Sequence, residues 1–378
     1  MGLSTLDGVA FPWDLLEPAR ERAAAHPDGI VDLSVGTPVD PTPDVVRRAL
    51  ADASDAHGYP LTAGTPALRA AISAWFARRR GVTVAPDATL PTVGSKELVG
   101  LLPSMLGLGA GDTVVHPAVA YPTYEVGALL AGATALATDD VATWAGREDV
   151  RLVWVNSPGN PHGRVADVAE LREVVAAARR TGAVVVADEC YAELSWTDGD
   201  DDGPRVPSLL DPRVHDGDLT GLLVTYSLSK QSSMAGYRAA FVAGDPALVV
   251  QLLALRKQLG LIVPGPVQAA MVAALDDDDH VAEQRERYRA RRDVLRGALE
   301  GAGFVVDRSE AGLYLWVRPA GEPADCWATV ERLAGIGLLV APGAFYGPAG
   351  AGHVRVALTV TDERAAAAAA RLGGLARG

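Results

Sequence analysis

The chain has 34 lysines and arginines, yet lysine occurs only at Lys96, Lys230 and Lys257. Chemistry that needs a side-chain amine therefore has three candidates. Lys230 is distinguished by its company. It closes Ser227-Leu-Ser-Lys230, and Arg238 of Gly236-Tyr-Arg238 follows it by eight residues. Upstream lie Asp188-Glu-Cys-Tyr191 and Asn156-Ser-Pro-Gly-Asn160-Pro-His-Gly163. A lysine amine can hold a carbonyl carbon as an imine. A carboxylate that closes an apolar run, as Asp188 does, is costly to bury without a partner. Hydroxyls, backbone N–H groups and an arginine together bind phosphate.

One cofactor, pyridoxal phosphate, makes all of these demands. Its aldehyde needs an amine, its ring nitrogen a carboxylate that keeps it protonated, and its phenolate oxygen hydrogen-bond donors. Its phosphate needs hydroxyls and a cation. Lys230, Asp188, the pair Asn160 and Tyr191, and Ser227 with Arg238 meet these needs in turn.

Such residues need a scaffold that brings them to one place. Apolar runs at Thr113–His116, Arg151–Val155, Ala183–Ala187, Gly221–Tyr226 and Ala239–Ala243 read as buried, mostly parallel strands. Between them Val168, Leu171, Val175 and Ala178 recur at helical spacing, with Asp167 placed as N-cap and Gly182 as C-cap. Alternating strands and helices predict βαβ units and a parallel sheet covered on both faces. Each of the four segments falls at or just beyond the end of a strand, or between two strands, where open α/β sheets bind ligands. After about Leu275 the pattern becomes α+β. A long Arg- and Glu-rich helix is expected from Val281 to Ala302, then strands at Leu313–Val317 and His353–Leu358, then an Ala-rich helix. The predicted division is an N-terminal arm and part of a small domain over 1–40, a large domain over 41–275, and a C-terminal small domain over 276–378.

The net charge of −13 argues against a nucleic-acid partner, which demands clustered cations. Cys190 and Cys326 form no CxxC pair and suit a reduced compartment, Cys190 as a small buried residue. Met1 to Ala10 lack a basic stretch followed by an apolar one, so no signal peptide is expected. No apolar run is long enough to span a bilayer, and a cytoplasmic location is expected. The acidic stretches Asp198–Gly203 and Asp276–Asp279 read as solvated surface without calcium-loop spacing. Ser227-Leu-Ser-Lys230 also fits the Ser-x-x-Lys of penicillin-binding enzymes, but Ser-Asp-Asn and Lys-Thr-Gly are both missing.

Three linked spacings in one order make the chain resemble the class I/II aminotransferases of pyridoxal phosphate fold type I, over nearly its whole length. The resemblance implies a mostly parallel seven-stranded sheet between helices, plus a smaller α+β domain. It also implies further roles. Ser95 and Lys96 would cradle phosphate at a helix N-terminus, and Tyr121 would stack on the cofactor ring. Tyr59 would reach the phosphate of a neighbouring subunit, which implies a homodimer with shared sites. Arg355 would clamp the substrate α-carboxylate with its planar fork, and Gly36 would line the entrance, with Asn160 also near the substrate. His162 replaces the family's usual threonine and reads as a tolerated turn substitution; Ala240 replaces a frequent glycine. The sequence is similar to actinobacterial N-succinyldiaminopimelate aminotransferases, in stretches such as Asp32–Pro41 and Val263–Ala270. That likeness implies glutamate as donor and N-succinyl-2-amino-6-oxopimelate as acceptor, with Arg256 or Lys257 as guesses for a second cation. The alternatives are another aminotransferase specificity (aspartate, alanine or aromatic), a C–S β-lyase, or a regulator with a basic winged-helix domain ahead of this fold. The last is disfavoured because the aminotransferase-like pattern begins by about Ile30.

Overall fold

The computed structural model describes residues 12–196, 206–321 and 325–375; the stretch Asp198–Gly203 and the first ten residues fall outside them. Among the described residues thirteen strands follow one another: β1 (Val31–Asp32), β2 (Thr89–Val93), β3 (Thr113–His116), β4 (Thr134–Ala137), β5 (Val150–Asn156), β6 (Val184–Asp188), β7 (Leu222–Ser227), β8 (Ala239–Gly244), β9 (Phe304–Asp307), β10 (Tyr314–Pro319), β11 (Leu338–Leu339), β12 (Ala341–Pro342) and β13 (Val354–Ala357). Seven form one mixed sheet in the order β2-β8-β7-β6-β5-β3-β4. Its pairings are parallel except those of β8, which runs antiparallel to both β2 and β7.

Strand periodicity divides this sheet between two apolar layers. Val185, Ala187 and Val224 enter one cluster with Leu68, Ile72, Leu171 and Val175 from helices Pro66–Trp75 and Val168–Thr181. Val186, Leu223 and Val242 enter another with Leu98, Leu102 and Leu252 from helices Ser95–Met105 and Pro246–Leu259. Because both faces are covered, the central strands read as continuous apolar runs. The strands expected from those runs are found to within a residue. Asp167 does more than cap its helix: Glu170 N donates to its carboxylate at 2.8 Å, and Glu170 accepts in return from Asp167 N at 3.0 Å. Gly182 ends that helix at φ 70°.

A third apolar cluster forms the small domain. It joins helix Glu17–Ala24 and β1 to the long helix Asp279–Gly301, helices Cys326–Ala334 and Asp362–Leu375, and a four-stranded antiparallel sheet in the order β12-β13-β10-β9. β1 pairs in parallel with β11, so segments from the two ends of the chain meet. Some strands carried no sequence signal. β2 contains Pro91, tolerated because β2 is an edge strand bonded only to β8. β4 is an edge strand with no fully buried residue, and β1, β11 and β12 are two residues long. The acidic run Asp276–Asp279 is not plain solvated surface. Asp278 accepts from Arg78 Nε at 2.7 Å, and Asp277 lies 3.4 Å from His280.

Three consecutive arginines end the extended helix that begins at Pro66. Arg80 donates to Glu189 at 3.1 Å, and Arg79 Nε to Glu193 at 3.0 Å. Glu189 also accepts from Ser208 Oγ at 2.9 Å and Leu209 N at 2.8 Å. Burial pushes the Glu189 carboxyl up against the pull of Arg80, so this pair pins the segment after β6 at a desolvation cost. Replacing Arg80 with Ala strands a buried carboxylate. Urea denaturation should show a loss of about 3–5 kcal/mol, and a loss below ~1 kcal/mol would mean that the segment is held by other contacts.

Candidate active site

The C-terminal ends of β5, β6 and β7, the start of β8 and the turn after β2 converge on a cavity of about 490 Å³. Pairing register brings them together. Asn156 stands opposite Asp188 on adjacent parallel strands. Asn156 Nδ2 donates to the Asp188 carbonyl at 3.1 Å, and its Oδ1 accepts from Asn160 N at 2.8 Å. Ser227 ends β7, and its Oγ accepts from Ser229 N at 3.2 Å and bonds Ser229 Oγ at 2.8 Å. That cap starts the short helical turn that carries Lys230. The antiparallel pairing of β8 with β2 returns Arg238 beside Gly94, whose N–H donates to the Arg238 carbonyl at 2.8 Å. Gly94 has φ 76°, and a Cβ there would lie 2.2 Å from Arg238 Nη2. Glycine is thus required on both counts. Ser95 and Lys96 then open helix Ser95–Met105, whose free N–H groups make an anion-binding end.

The electrostatics are unusual. Asp188 is 7% exposed and accepts from Tyr124 Oη at 2.8 Å and Cys190 N at 3.1 Å. Among the described residues no cation pairs with it, and burial pushes its carboxyl above the usual range. Lys230 donates to the Gly36 carbonyl, has no carboxylate partner among the described residues, and is pulled down by burial, with Arg355 and Arg238 adding to the effect. Arg355 is 3% exposed. It donates to Asn160 Oδ1 at 3.1 Å and the Ser34 carbonyl at 2.7 Å, while its Nε is buried without an acceptor among the described residues. Its guanidinium carbon lies 3.9 Å from the centroid of the Tyr314 ring. A buried cation normally meets a carboxylate, and among the described residues Arg355 meets neutral oxygens and aromatic rings instead.

The expected residues Gly36, Ser95, Lys96, Tyr121, Asn160, Asp188, Tyr191, Ser227, Lys230, Arg238 and Arg355 all line this cavity. Tyr59 does not; its side chain is fully exposed, at 101%. Lys96 contributes its side chain as well as its backbone, with Nζ 5.8 Å from the Tyr121 ring centroid. Burial pushes the Tyr121 phenol up to about 12, and the Cys190 thiol well up too. His162 stays outside the cavity. Its Nδ1 accepts from Arg164 N at 3.1 Å, and burial lowers its pKa to about 4, so the ring remains neutral. The guesses for a second cation are corrected: Arg256 is fully buried against Glu97 at 2.8 Å, and neither it nor Lys257 reaches the cavity. Sequence reasoning missed Tyr124, Tyr314, Arg20 and Trp13. Tyr124 lies in the first turn of the helix Thr123–Leu130, just after the Tyr121-Pro122 pair, and its nearness in sequence to Tyr121 is the one signal that could have flagged it. The other three come from elements remote in sequence.

Comparison with known proteins decides the family. The family model for aminotransferase class I and II matches residues 28–372. The chain is 60% identical over 362 residues to the 4-dedimethylamino-4-oxo-anhydrotetracycline transaminase OxyQ of Streptomyces rimosus, covering 96% of this chain and 98% of that one. It is 58% identical to a probable aminotransferase of Mycobacterium tuberculosis, covering 96% and 84%. The chain belongs to the class I and II aminotransferases. Among solved structures, a probable N-succinyldiaminopimelate aminotransferase from Thermus thermophilus superimposes with a TM-score of 0.84 at 28% identity, covering 96% of this chain and 99% of that one.

As an aminotransferase of this class the protein uses pyridoxal 5′-phosphate. The cavity suits that group by what it leaves uncompensated. It offers an amine of lowered pKa, a buried carboxylate without a cation, and an arginine and hydroxyls around a helix N-terminus. It also holds Arg355, a buried guanidinium with no carboxylate partner among the described residues. In this aminotransferase, Arg355→Lys keeps the charge and loses the planar fork. Steady-state kinetics should show KM for an amino-acid donor raised at least about tenfold, or ~1.4 kcal/mol, with cofactor uptake unchanged. An unchanged KM would separate Arg355 from substrate binding.

Proposed function

We propose that the protein transfers the amino group of glutamate to N-succinyl-2-amino-6-oxopimelate. The observation that carries this reading is Arg355, a buried guanidinium with no carboxylate of its own. Donor and acceptor both bring a carboxylate next to the reacting carbon, and both carry further carboxylates. Arg20, which lines the same cavity, is the cation offered to those. Arg20 is steadied by Asp32 at 2.9 Å.

In this reading Lys230 holds the cofactor, and Asp188 holds a proton on its ring nitrogen. Asn160 and Tyr191 donate to its phenolate oxygen. Ser95, Lys96, Ser227 and Arg238 hold its phosphate, and Tyr121 lies against its ring. Bound pyridoxal phosphate supplies a carbonyl that links reversibly to amines and a ring that accepts electrons from the substrate's α-carbon. The chain's own residues do the rest. Arg355 seats the α-carboxylate and so fixes the α C–H relative to Lys230. The amine of Lys230, whose pKa burial lowers, takes the proton from the α-carbon and returns it one position along. Tyr124 and the Cys190 N–H hold Asp188 in place, and a cationic neighbour draws its carboxyl back down into the ionised state. Tyr59, fully exposed beside the exposed Leu61 at 56%, is assigned to contact with a second copy, giving a homodimer in which each subunit completes the other's phosphate site.

The 60% identity to OxyQ favours a second reading, in which the acceptor is a polycyclic ketone like the one in that transaminase's name. A panel of acceptors with glutamate as donor, read as 2-oxoglutarate formed, separates the two. The succinylated keto acid should turn over fastest. If it is inert while the tetracycline-type ketone or another keto acid reacts, the acceptor assignment fails and the class stands. Pyruvate and ammonia released from cystathionine would point to a β-lyase instead.

A further inference from the structure

We propose that His280 is a positioning residue of the reaction: from the small domain's long helix it fixes, through Ser232, the turn that carries Lys230. This rests on the placement of Lys230 as the base in the reading above, and it concerns a histidine that no sequence motif marked.

The turn Leu228–Gln231 is four residues long. A single helical turn has little stability of its own, so the anchors at its two ends decide where Lys230 stands. Ser227 caps it in front. Behind it, Ser232 is 1% exposed, and its Oγ lies 2.8 Å from His280 Nε2. The same oxygen accepts from Gln231 Nε2 at 3.2 Å, and Gln231 Oε1 accepts from Tyr226 Oη at 2.5 Å. Tyr226 is wholly buried against Trp75 and Phe241, with ring centroids 4.4 and 5.6 Å away. The Ser232 hydroxyl thus joins two anchors, a phenol set in the large domain's core and an imidazole on a helix of the other domain. Ser233, next in the chain, holds φ 50°, a conformation that a serine keeps only where its surroundings impose it.

His280 is itself held. It is the second residue of helix Asp279–Gly301, just after the junction with helix Gly265–Asp276. Arg78 ties that junction down, donating to Asp278 at 2.7 Å and to the Leu275 carbonyl at 2.6 Å. Asp277 faces the other nitrogen of the His280 ring at 3.4 Å. One turn along the helix, Gln284 donates to Asp40 at 2.8 Å. Thr42, two residues after Asp40, donates to the Ser233 carbonyl at 2.8 Å. The helix, the segment Asp40–Thr42 and the residues after Lys230 therefore close a ring of contacts.

No carboxylate among the described residues steers the Lys230 amine, so its position comes from its own backbone. A base displaced by about 1 Å can lose about 100-fold in rate. Without the His280 bond the Ser232 hydroxyl keeps only its neighbour Gln231 of these two anchors, and the turn loosens at its end. The proton step slows. The groups assigned to the cofactor's phosphate and to the substrate carboxylate keep their own places, so binding of either changes little.

The test is the glutamate half-reaction of the holoenzyme, followed in single turnovers by its visible absorbance. His280→Phe keeps a ring of similar size and loses the bond; its maximal rate should fall about tenfold. The glutamate concentration for half-maximal rate and Kd for pyridoxal phosphate should change little. His280→Gln, whose amide can reach the Ser232 hydroxyl, should recover most of the rate. Ser232→Ala breaks the same bond by a smaller change and should slow the step likewise, with little added by combining it with His280→Phe. It carries the test should His280→Phe not fold. Glutamate deuterated at the α-carbon should give an isotope effect no smaller in the slowed variants than in the wild type. A residue that acts through Lys230 falls silent without it, so in Lys230→Ala supplied with methylamine as base, His280→Phe should leave the rate unchanged. Wild-type rates in both single variants, additive losses, a smaller isotope effect or an equal loss in the Lys230→Ala background overturn the inference and leave the proposed function intact. A wild-type chain that gains no visible absorbance with pyridoxal phosphate overturns both.

Discussion

The structure is organised around charge kept out of water without a protein counter-ion. Asp188 and Arg355 are nearly fully buried, and neither has an ion-pair partner among the described residues. Lys230 is half-buried and, among the described residues, bonds a backbone carbonyl and no carboxylate. Each arrangement costs free energy in the folded chain. The surroundings hold these groups in place without neutralising them. Asp188 receives a phenol and a backbone N–H, and Arg355 receives two neutral oxygens and an aromatic face. In the proposed reading the ligands bring the counter-charge that the site lacks: a basic ring nitrogen for Asp188 and a carboxylate for Arg355. A site neutralised in advance would have less to gain from binding either.

Topology decides where these groups meet. Parallel β5, β6 and β7 end on the same side, so Asn156, Asp188 and Ser227 arrive together from strands whose interiors are mostly apolar. β8 then reverses direction, which starts it at that same edge and puts Arg238 beside Gly94. The segment after β6 has no sheet of its own to fix it. Arg79 and Arg80 do so instead through Glu193 and Glu189, and Glu189 directly follows Asp188. The acid that faces the cavity and the acid that anchors its loop are thus neighbours in sequence with opposite tasks, one left unpaired and the other paired.

Much of this was legible in the residues. The strand ends carry short motifs at fixed separations, and eleven of the twelve expected site residues line one cavity. Tyr59 is the exception, and its expected partner is a second chain. The sheet was readable because its strands are covered on both faces and so are uniformly apolar. β2 and β4 were not, since edge strands face weaker constraints and one of them tolerates a proline. Tyr314 and Arg20 escaped notice for a different reason. Nothing around them in sequence separates a site residue from an ordinary β-strand tyrosine or helix arginine. Their importance comes only from packing across elements far apart in the chain. The second-cation guess failed in the same way: Arg256 looks exposed by composition, and tertiary contact with Glu97 buries it completely.

The seam between the two domains explains why the site is divided as it is. The large sheet supplies the groups expected to hold the cofactor, while Arg355 and Tyr314 come from the small one. Two of the bonds that cross the seam at the cavity, Arg355 to Asn160 and Lys230 to Gly36, end on neutral oxygens. A substrate carboxylate competes with such acceptors on favourable terms, because a charge-assisted bidentate pair is roughly twice as strong as a neutral bond. In the proposed reading the group that recognises the α-carboxylate therefore spans the seam, and that needs only that Arg355 have no acidic partner of its own among the described residues.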